Sequence, residues 1–172
     1  MAKITRCLNE WNAIIEALGQ GKQTILIRNN PTAIKEFLLY PTISYAKNEN
    51  VLNNFKEDYH YFVEENLLPN AKGKEYEIKY YAKVEKIINK SPRKVSALVG
   101  FHIWNKNHVN KFIRGKTPYV WVLRVYKLEN PQFLSRTRGQ RFANVGKEVD
   151  ISDLTPVLSD EEFNKIKKVI DP

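Results

Sequence analysis

The run Tyr119-Val-Trp-Val-Leu-Arg-Val-Tyr126 is the most apolar stretch of the chain, and it predicts a buried β-strand over about residues 118–128. It carries one charge, Arg124, on the face that it shares with Val120 and Val122. Because an unpaired charge on a buried face is costly, we expect Arg124 to meet either a carboxylate or a ligand phosphate. The candidate carboxylates within the chain are those of Glu16, Glu36 and Glu129.

Positive charge is concentrated around this strand. Between Lys86 and Lys147 there are fourteen Lys or Arg residues and one acid, Glu129, which gives +13 in a chain whose net charge is +9. The rest of the chain therefore carries −4. Three arginines surround Gly139, and arginine forks match phosphate geometry where a glycine lets a backbone approach closely. This distribution indicates an anionic partner, with nucleic acid as the first candidate.

Composition places the chain among ordinary globular proteins. Its 172 residues are 42% hydrophobic and 27% charged, which predicts a single domain over 1–172, with 149–172 as a C-terminal helical extension. The single cysteine, Cys7, cannot form a disulfide within the chain and favours a reducing cytoplasm. There is no signal segment, and no apolar run approaches the roughly 18 residues of a membrane span, so we expect no membrane partner. The three histidines lack zinc-ligand spacing, so no metal or cofactor is expected.

The periodicity of apolar residues predicts an α+β fold. Helical spacing predicts helices over 8–18 and 49–67, and alternation predicts a long strand over 75–88. Short strands are expected at 24–27 and 142–145, and Pro41 argues against a long central strand in the run 37–42. Ser91 and Asn105 begin two short helices, and a capping box at 159–162 begins the last one. Long strands separated by helices without regular alternation favour a small mixed or barrel-like sheet with surrounding helices.

The candidate binding residues are cations and aromatics at the ends of these elements. We expect Arg28 and Arg124 to point into one anion-binding cleft, with Arg138 and Arg141 holding a phosphate and an aromatic ring stacking on a base. The predicted nucleic-acid-binding residues are Lys22, Arg28, Tyr40, Trp104, Lys106, Arg124, Arg136, Arg138, Gln140 and Arg141.

An ordered series of segments resembles a prokaryotic family of domains of unknown function. The matching segments are Glu10-Trp11, Glu16-Ala-Leu18, Gly21-Lys-Gln23, Leu26-Ile-Arg28, Phe37-Leu-Leu-Tyr-Pro-Thr42, His102-Ile-Trp104, Leu123-Arg-Val-Tyr126 and Pro131. The chain departs from that pattern at Arg28-Asn-Asn30, where the family has Arg-Lys-Gly-Gly, and at Ile43-Ser-Tyr45, where it has His-Gln. The family is associated with restriction systems, so the resemblance implies a role in DNA defence and a restriction-system protein partner.

A shorter pattern is similar to the ASCH and PUA-like domains. It comprises Gly21, Lys22, Thr24 and Arg28 at the first short strand and, far downstream, Arg138-Gly-Gln140. Domains of that superfamily are small β-barrels that hold RNA or modified bases in a cleft. The resemblance therefore implies a PUA/ASCH-like sheet.

Three classes of function remain open from the sequence. The first is a nucleic-acid or nucleotide-binding module, with recognition of a modified base in a restriction-like defence system as its more specific form. The second is a nuclease or nucleotide hydrolase that uses the same basic cleft. The third is a protein-interaction subunit with a basic docking face. Acids or a histidine facing the arginines would favour an enzyme, whereas aromatic rings there would favour a binding module.

Overall fold

The computed structural model describes residues 2–172 and contains one eight-stranded sheet with five α-helices. The strands are β1 Lys3–Trp11, β2 Ile25–Arg28, β3 Glu36–Thr42, β4 Ala71–Lys72, β5 Glu75–Asn89, β6 Tyr119–Leu134, β7 Phe142–Asp150 and β8 Leu154–Pro156. The helices are α1 Asn12–Gly19, α2 His60–Glu65, α3 Pro92–Ser96, α4 Lys106–Ile113 and α5 Asp160–Ile170.

The strands are ordered β2-β6-β5-β3-β1-β7, with β4 paired to β5 and β8 paired to β6. Strands β1 and β3 run parallel, and the other pairs are antiparallel. Beyond the end of β6, the chain turns back to β7 through hydrogen bonds from Thr137 N to Asn144 O (2.8 Å) and from Gly146 N to Ser135 O (3.0 Å). The predicted α+β class with a mixed sheet is thus confirmed, and the sheet is open rather than a closed barrel.

The sheet is buried on both faces. Alternate residues of β3 show this directly, because Phe37 and Leu39 belong to the larger apolar cluster, whereas Leu38 and Tyr40 belong to a second one. The larger cluster joins α1, β2 and β6 and includes Trp121, which is fully buried as the sequence predicts. A strand covered on both faces is apolar along its whole length, which explains the unbroken run in β6.

One predicted helix begins too early, and another is not a single helix. Residues 8–11 are not helical but complete β1, because they pair with 39–42 of β3, and α1 begins only at Asn12. The segment 49–67 is not one helix. It forms short 3-10 turns and the six-residue α2, because Phe55 forms a β-bridge with Trp104 in the middle of it. In both places, tertiary pairing outweighs the local helical periodicity.

The interpretation of Pro41 is also wrong, since β3 lies inside the sheet between β5 and β1. However, β5 pairs only with residues 36–38 of β3. Pro41 therefore lies where the strand has a single partner, Glu10 of β1, and the missing N–H costs little. The strands predicted at 24–27, 75–88 and 118–128 are confirmed, as are the capped helices that follow Ser91, Asn105 and Ser159.

The segment 149–172 contributes to the sheet as well as to the surface. Val149 and Asp150 end β7 and pair with β1, β8 pairs with β6, and α5 buries Phe163 and Ile170 in the main core. Within residues 2–172, no helix has the length and apolarity required to cross a membrane.

Candidate functional site

A cleft forms at the end of the sheet where β1, β2 and β3 finish. Because β1 and β3 are parallel, their carboxyl ends lie side by side, with Glu10 opposite Pro41 and Trp11 opposite Thr42. Strand β2 ends at Arg28 beside them, α4 covers one side, and the loop from β6 to β7 covers the other. Residues that are far apart in the sequence therefore meet at a single opening.

The inner part of the cleft, here named the aromatic cavity, encloses about 490 Å³ of empty space, its open mouth included. The ring of Trp11 stacks on Tyr45 with centroids 4.8 Å apart, and His108 lies 5.4 Å from Trp11 and 6.0 Å from Trp104. Its walls thus offer aromatic surfaces of the kind on which bases stack. The lining residues are Glu10, Trp11, Ile27, Arg28, Trp104, His108, Val109 and Phe112.

Trp11 and Trp104 are held in place by their surroundings. The hydroxyl of Tyr45 accepts a hydrogen bond from Ala13 N (2.9 Å) and donates one to Leu67 O (2.7 Å), which fixes the ring that supports Trp11. Burial raises the pKa of Tyr45 to about 12, so this hydroxyl remains protonated and able to donate. Trp104 is fixed by its β-bridge to Phe55. Both walls of the aromatic cavity are therefore pre-formed.

Arg28 and Glu10 form an ion pair within the aromatic cavity. The Arg28 Nη2 donates to Glu10 Oε2, while Glu10 Oε1 accepts from the backbone N–H of Trp11 at 2.8 Å. The two side chains are only 15% and 8% exposed, and the guanidinium lies 5.8 Å from the ring of Trp121. The cavity thus contains a cation whose charge is offset by a buried carboxylate.

His108 adds a titratable group to the same cavity. Its Nδ1 lies 3.1 Å from Asn54 Oδ1. An amide oxygen can only accept, so Nδ1 carries the proton and Nε2 is left as an acceptor. Burial lowers the pKa of His108, and the nearby Glu10 carboxylate only partly opposes this effect. The imidazole is therefore neutral at pH 7.

The outer cleft is wider and more polar, with about 1010 Å³ of empty space, its mouth included. It shares Glu10, Trp11, Arg28 and Phe112 with the aromatic cavity, so the two spaces are continuous. Its other lining residues are Asn9, Asn29, Asn30, Thr42, Ser44, Gln140 and Arg141. Hydrogen-bonding side chains and an arginine thus surround the entrance to an aromatic interior.

The loop that carries Gln140 and Arg141 is anchored to β1. Asn9 Nδ2 donates to Gly139 O at 2.9 Å, and Asn9 N donates to Arg141 O at 2.8 Å. A Cβ at Gly139 would overlap the carbonyl oxygen of Phe142, so only glycine allows this tight turn. The Asn30 side chain is oriented so that its amide nitrogen donates to Asn29 O and its Oδ1 accepts from Arg141 Nη2 at 3.1 Å. These contacts direct Arg141 toward the outer cleft.

Four of the ten predicted binding residues meet in this cleft, namely Arg28, Trp104, Gln140 and Arg141. Arg138 is exposed and lies outside the residues that line it. Lys106 lines a separate depression between α3 and α4, and Lys22 is exposed with its Nζ 5.3 Å from the ring of Phe62.

The remaining three predicted residues have structural contacts elsewhere. Arg124 donates to Leu158 O and to Asp160 Oδ1, both at 2.9 Å, so its partner is Asp160 rather than any of the three glutamates named from the sequence. It borders a small cavity with Phe163, apart from Arg28. Tyr40 is buried, with its hydroxyl donating to Leu134 O, and Arg136 lies 5.3 Å above its ring. The prediction that Arg124 and Arg28 share one cleft is wrong.

Sequence reasoning missed several residues of the site. Asn9, Glu10, Trp11, Thr42, Ser44, His108 and Phe112 all line the cleft, and none of them was proposed as a binding residue. Phe112 lies on α4 and is 38% exposed at the cavity mouth. A signal was present, because Glu10-Trp11, Arg28, Thr42 and Trp104 each belong to one of the quoted family segments, and all of them converge here.

Solved structures with which the fold aligns are distant in sequence. Three of them are crystal structures of the ASCH protein of Zymomonas mobilis. The serine-to-alanine mutant matches with a TM-score of 0.46, and the tyrosine-to-phenylalanine mutant and the ASCH protein itself each match with a TM-score of 0.42. Sequence identity is 12–13%, and the alignments cover 95% of this chain and 94–96% of those chains. No curated protein matches the chain.

The family comparison is more extensive. The family model described as "Domain of unknown function (DUF1802)" matches residues 7–169, which include the whole cleft. This match covers most of the chain, and it confirms the family resemblance inferred from the ordered segments. The chain therefore belongs to the DUF1802 family of domains of unknown function.

Proposed function

We propose that the protein binds single-stranded nucleic acid or a nucleotide, with one base in the aromatic cavity and its phosphate at the outer cleft. The observation that carries this proposal is the continuity of the two spaces. An interior lined by Trp11, Trp104 and Phe112 opens directly onto an entrance that holds Arg28 and Arg141. Stacking surfaces next to a phosphate-matching guanidinium are the two elements that recognise a nucleotide.

The electrostatic setting supports this proposal. The chain carries a net charge of +9, so an anionic ligand is attracted to it at long range. Arg141 is anchored through its backbone and makes no ion pair within the described chain, so its charge is available to a phosphate. The amides of Asn30 and Gln140 add donors and acceptors of the kind that read the edge of a base.

Tryptophan fluorescence provides a direct test. Two of the three tryptophans, Trp11 and Trp104, line the aromatic cavity, and the third, Trp121, is fully buried. A base that enters the cavity should quench the emission, and Trp11→Phe should remove much of the response. Phe112→Ala should weaken binding of AMP or of a short single strand by about tenfold, since stacking contributes about 1–3 kcal/mol per base. Tyr61→Ala, an exposed aromatic on α2, is the matched control.

A defined result would refute this proposal. If AMP and a single-stranded 12-mer at low salt neither quench the fluorescence nor bind by anisotropy, the cavity does not take a base. If they bind but Phe112→Ala and Tyr61→Ala behave alike, the site lies elsewhere on the surface.

A second candidate is a nuclease or nucleotide hydrolase that uses the same cleft. The specific observation in its favour is that Glu10 and His108 line the aromatic cavity together with Arg28. A neutral imidazole with a free Nε2 is able to accept a proton, and a guanidinium is able to stabilise charge on a phosphate. Glu10→Gln separates the two readings. It should abolish turnover of an oligonucleotide in an enzyme that uses this carboxylate, and it should not weaken binding in a binding module.

More specific roles follow from the family resemblance and form part of this proposal. We include recognition of a modified base, participation in a restriction-like defence system with a protein partner, and a cytoplasmic location suited to the unpaired Cys7. Methylated and unmethylated single strands of one sequence, compared by fluorescence quenching, test the first of these. Equal affinity for both would remove base modification from the proposal.

A further inference from the structure

A third space adjoins the cleft on the side of α4. This basic depression, lined by Asn29, Lys111, Phe112, Ile113, Arg114 and Lys116, encloses about 550 Å³ with its open mouth included. It shares Phe112 with the aromatic cavity, and Phe112 and Asn29 with the outer cleft. The three spaces therefore lie side by side around Phe112, and they are together named the groove here.

The charge along this part of the groove has one sign. From Lys90 to Lys116 the chain has seven Lys or Arg residues and no acid. Lys111, Arg114 and Lys116 are exposed, and they form no ion pair among residues 2–172. Exposed cations without partners create a positive potential, and this potential attracts a polyanion such as a nucleic-acid strand.

The end of α4 holds these cations toward the groove. Arg114 closes the helix in a left-handed conformation with φ of 48°, which costs a non-glycine residue free energy. Its Nε donates to Lys111 O at 3.1 Å, and Lys116 N donates to Ile113 O at 3.0 Å. These bonds fix the turn from Lys111 to Lys116, so the three cations line the basic depression next to Phe112.

We propose that the ligand is a single-stranded oligonucleotide rather than a free nucleotide. The strand runs from the outer cleft across the aromatic cavity into the basic depression. Arg141 contacts the backbone on one side of the stacked base, and the α4 cations Lys111, Arg114 and Lys116 contact it on the other. This inference rests on the proposed function and extends it. A mononucleotide has no phosphate for the second side, and a duplex keeps its bases paired, so neither ligand fills the groove.

The test compares two triple variants of equal charge. The groove variant combines Lys111→Ala, Arg114→Ala and Lys116→Ala. The control combines Lys74→Ala, Lys83→Ala and Lys168→Ala, which are exposed residues outside all three spaces. Each variant lowers the net charge of +9 by three, to +6. The probes are AMP, fluorescent 12-nucleotide RNA and DNA single strands, and a 12-base-pair duplex.

The expected result is selective. The logarithm of the binding constant falls linearly with the logarithm of the salt concentration, and each phosphate contact on a single strand adds about 0.7 to the steepness of that fall. Three lost contacts should therefore reduce the steepness by about 2 and weaken 12-mer binding about 100-fold at 0.1 M salt. Binding of AMP should stay within twofold of the wild type. The control variant should lose less than threefold on the 12-mer, and the duplex should bind more weakly than the single strand.

Other results overturn the inference in distinguishable ways. A groove variant that binds the 12-mer within threefold of the wild type, or a control that loses as much as the groove variant, refutes the strand path and leaves the base site in place. Tighter binding of the duplex than of the single strand also refutes it. If neither AMP nor the 12-mer binds the wild type, the proposed function fails together with this extension.

Discussion

Glu10 and Arg28 provide the sharpest test of how the cleft works. We consider three variants, Glu10→Gln, Arg28→Gln and the double variant, each of which keeps a polar side chain of similar size. Each single change leaves one buried charge without its partner, whereas the double change removes both charges. The stability and the ligand affinity of the protein should therefore respond in different patterns.

The expected loss of stability follows from burial of the pair. The side chains are 8% and 15% exposed, so solvent screens the remaining charge only weakly. At an effective dielectric constant of about 20, unit charges about 4 Å apart attract each other by about 4 kcal/mol. Removing one partner of a buried pair costs about 3–5 kcal/mol. We expect each single variant to lose about 3 kcal/mol, the double variant to lose no more than either, and the coupling energy to be about 3 kcal/mol.

The expected changes in affinity have opposite signs. Arg28→Gln removes a cation from the cleft and should weaken AMP binding about tenfold, since a charge-assisted hydrogen bond contributes about 1.5–3 kcal/mol. Glu10→Gln removes the carboxylate that competes with a phosphate for Arg28. The phosphate would lie in the open outer cleft, where water screens its repulsion from this carboxylate to about 1 kcal/mol at about 4 Å, so this variant should bind AMP about fivefold more tightly.

Urea unfolding at pH 7 measures the stability of the four proteins, and fluorescence titration with AMP measures their affinity. Additive losses of stability would show that the two side chains do not act as a pair. A weaker affinity for Glu10→Gln would show that the carboxylate contacts the ligand itself, and this result would refute the role of Glu10 as a competitor.

Three further outcomes follow from other contacts. Burial lowers the pKa of His102 to about 4, so the unfolded chain takes up a proton below about pH 6.5 that the folded state does not. The free energy of unfolding should therefore fall by about 3 kcal/mol as the pH drops from 6.5 to 4, and His102→Gln should flatten that decline in urea titrations. Arg124→Met should cost about 2 kcal/mol of stability yet leave AMP affinity unchanged, and a tenfold loss of affinity would return Arg124 to the site. Gly19→Ala should destabilise the fold by more than about 2 kcal/mol, because its methyl group would overlap the ring of Tyr80; an unchanged melting temperature would contradict that packing.

The sequence predicted the sheet better than the site. Alternation in β5 and the apolar run in β6 identified the two longest strands, since periodicity reports directly which faces are buried. The helix predicted over 8–18 is wrong in its first four residues, because the pairing of Leu8 with Leu39 is a contact between distant residues that leaves no trace in local spacing. Local patterns thus predict elements and do not predict which ends of them meet.

The same limit explains the site residues. Arg28 and Arg141 were chosen for their charge, and the fold brings both to the cleft. Arg124 was chosen for the same reason, but its partner, Asp160, lies on the last helix and could not be inferred from the sequence. Glu10 and Trp11 were overlooked because both fell within the helix predicted over 8–18. Their role becomes visible only when β1 and β3 are placed side by side.

The pairing of β1 with β7 also bears on how the protein reaches its native state. Lys3 pairs with Asp150, so β1 completes its pairing only after the chain has been synthesised as far as β7. Contacts between residues so far apart in the sequence cost a large loop-closure entropy, and they therefore slow the folding of a chain. Until β7 arrives on the ribosome, the outer edge of β1 has no strand to pair with, and exposed edges of this kind recruit other chains. The nascent chain is therefore most prone to aggregate before β7 has been synthesised.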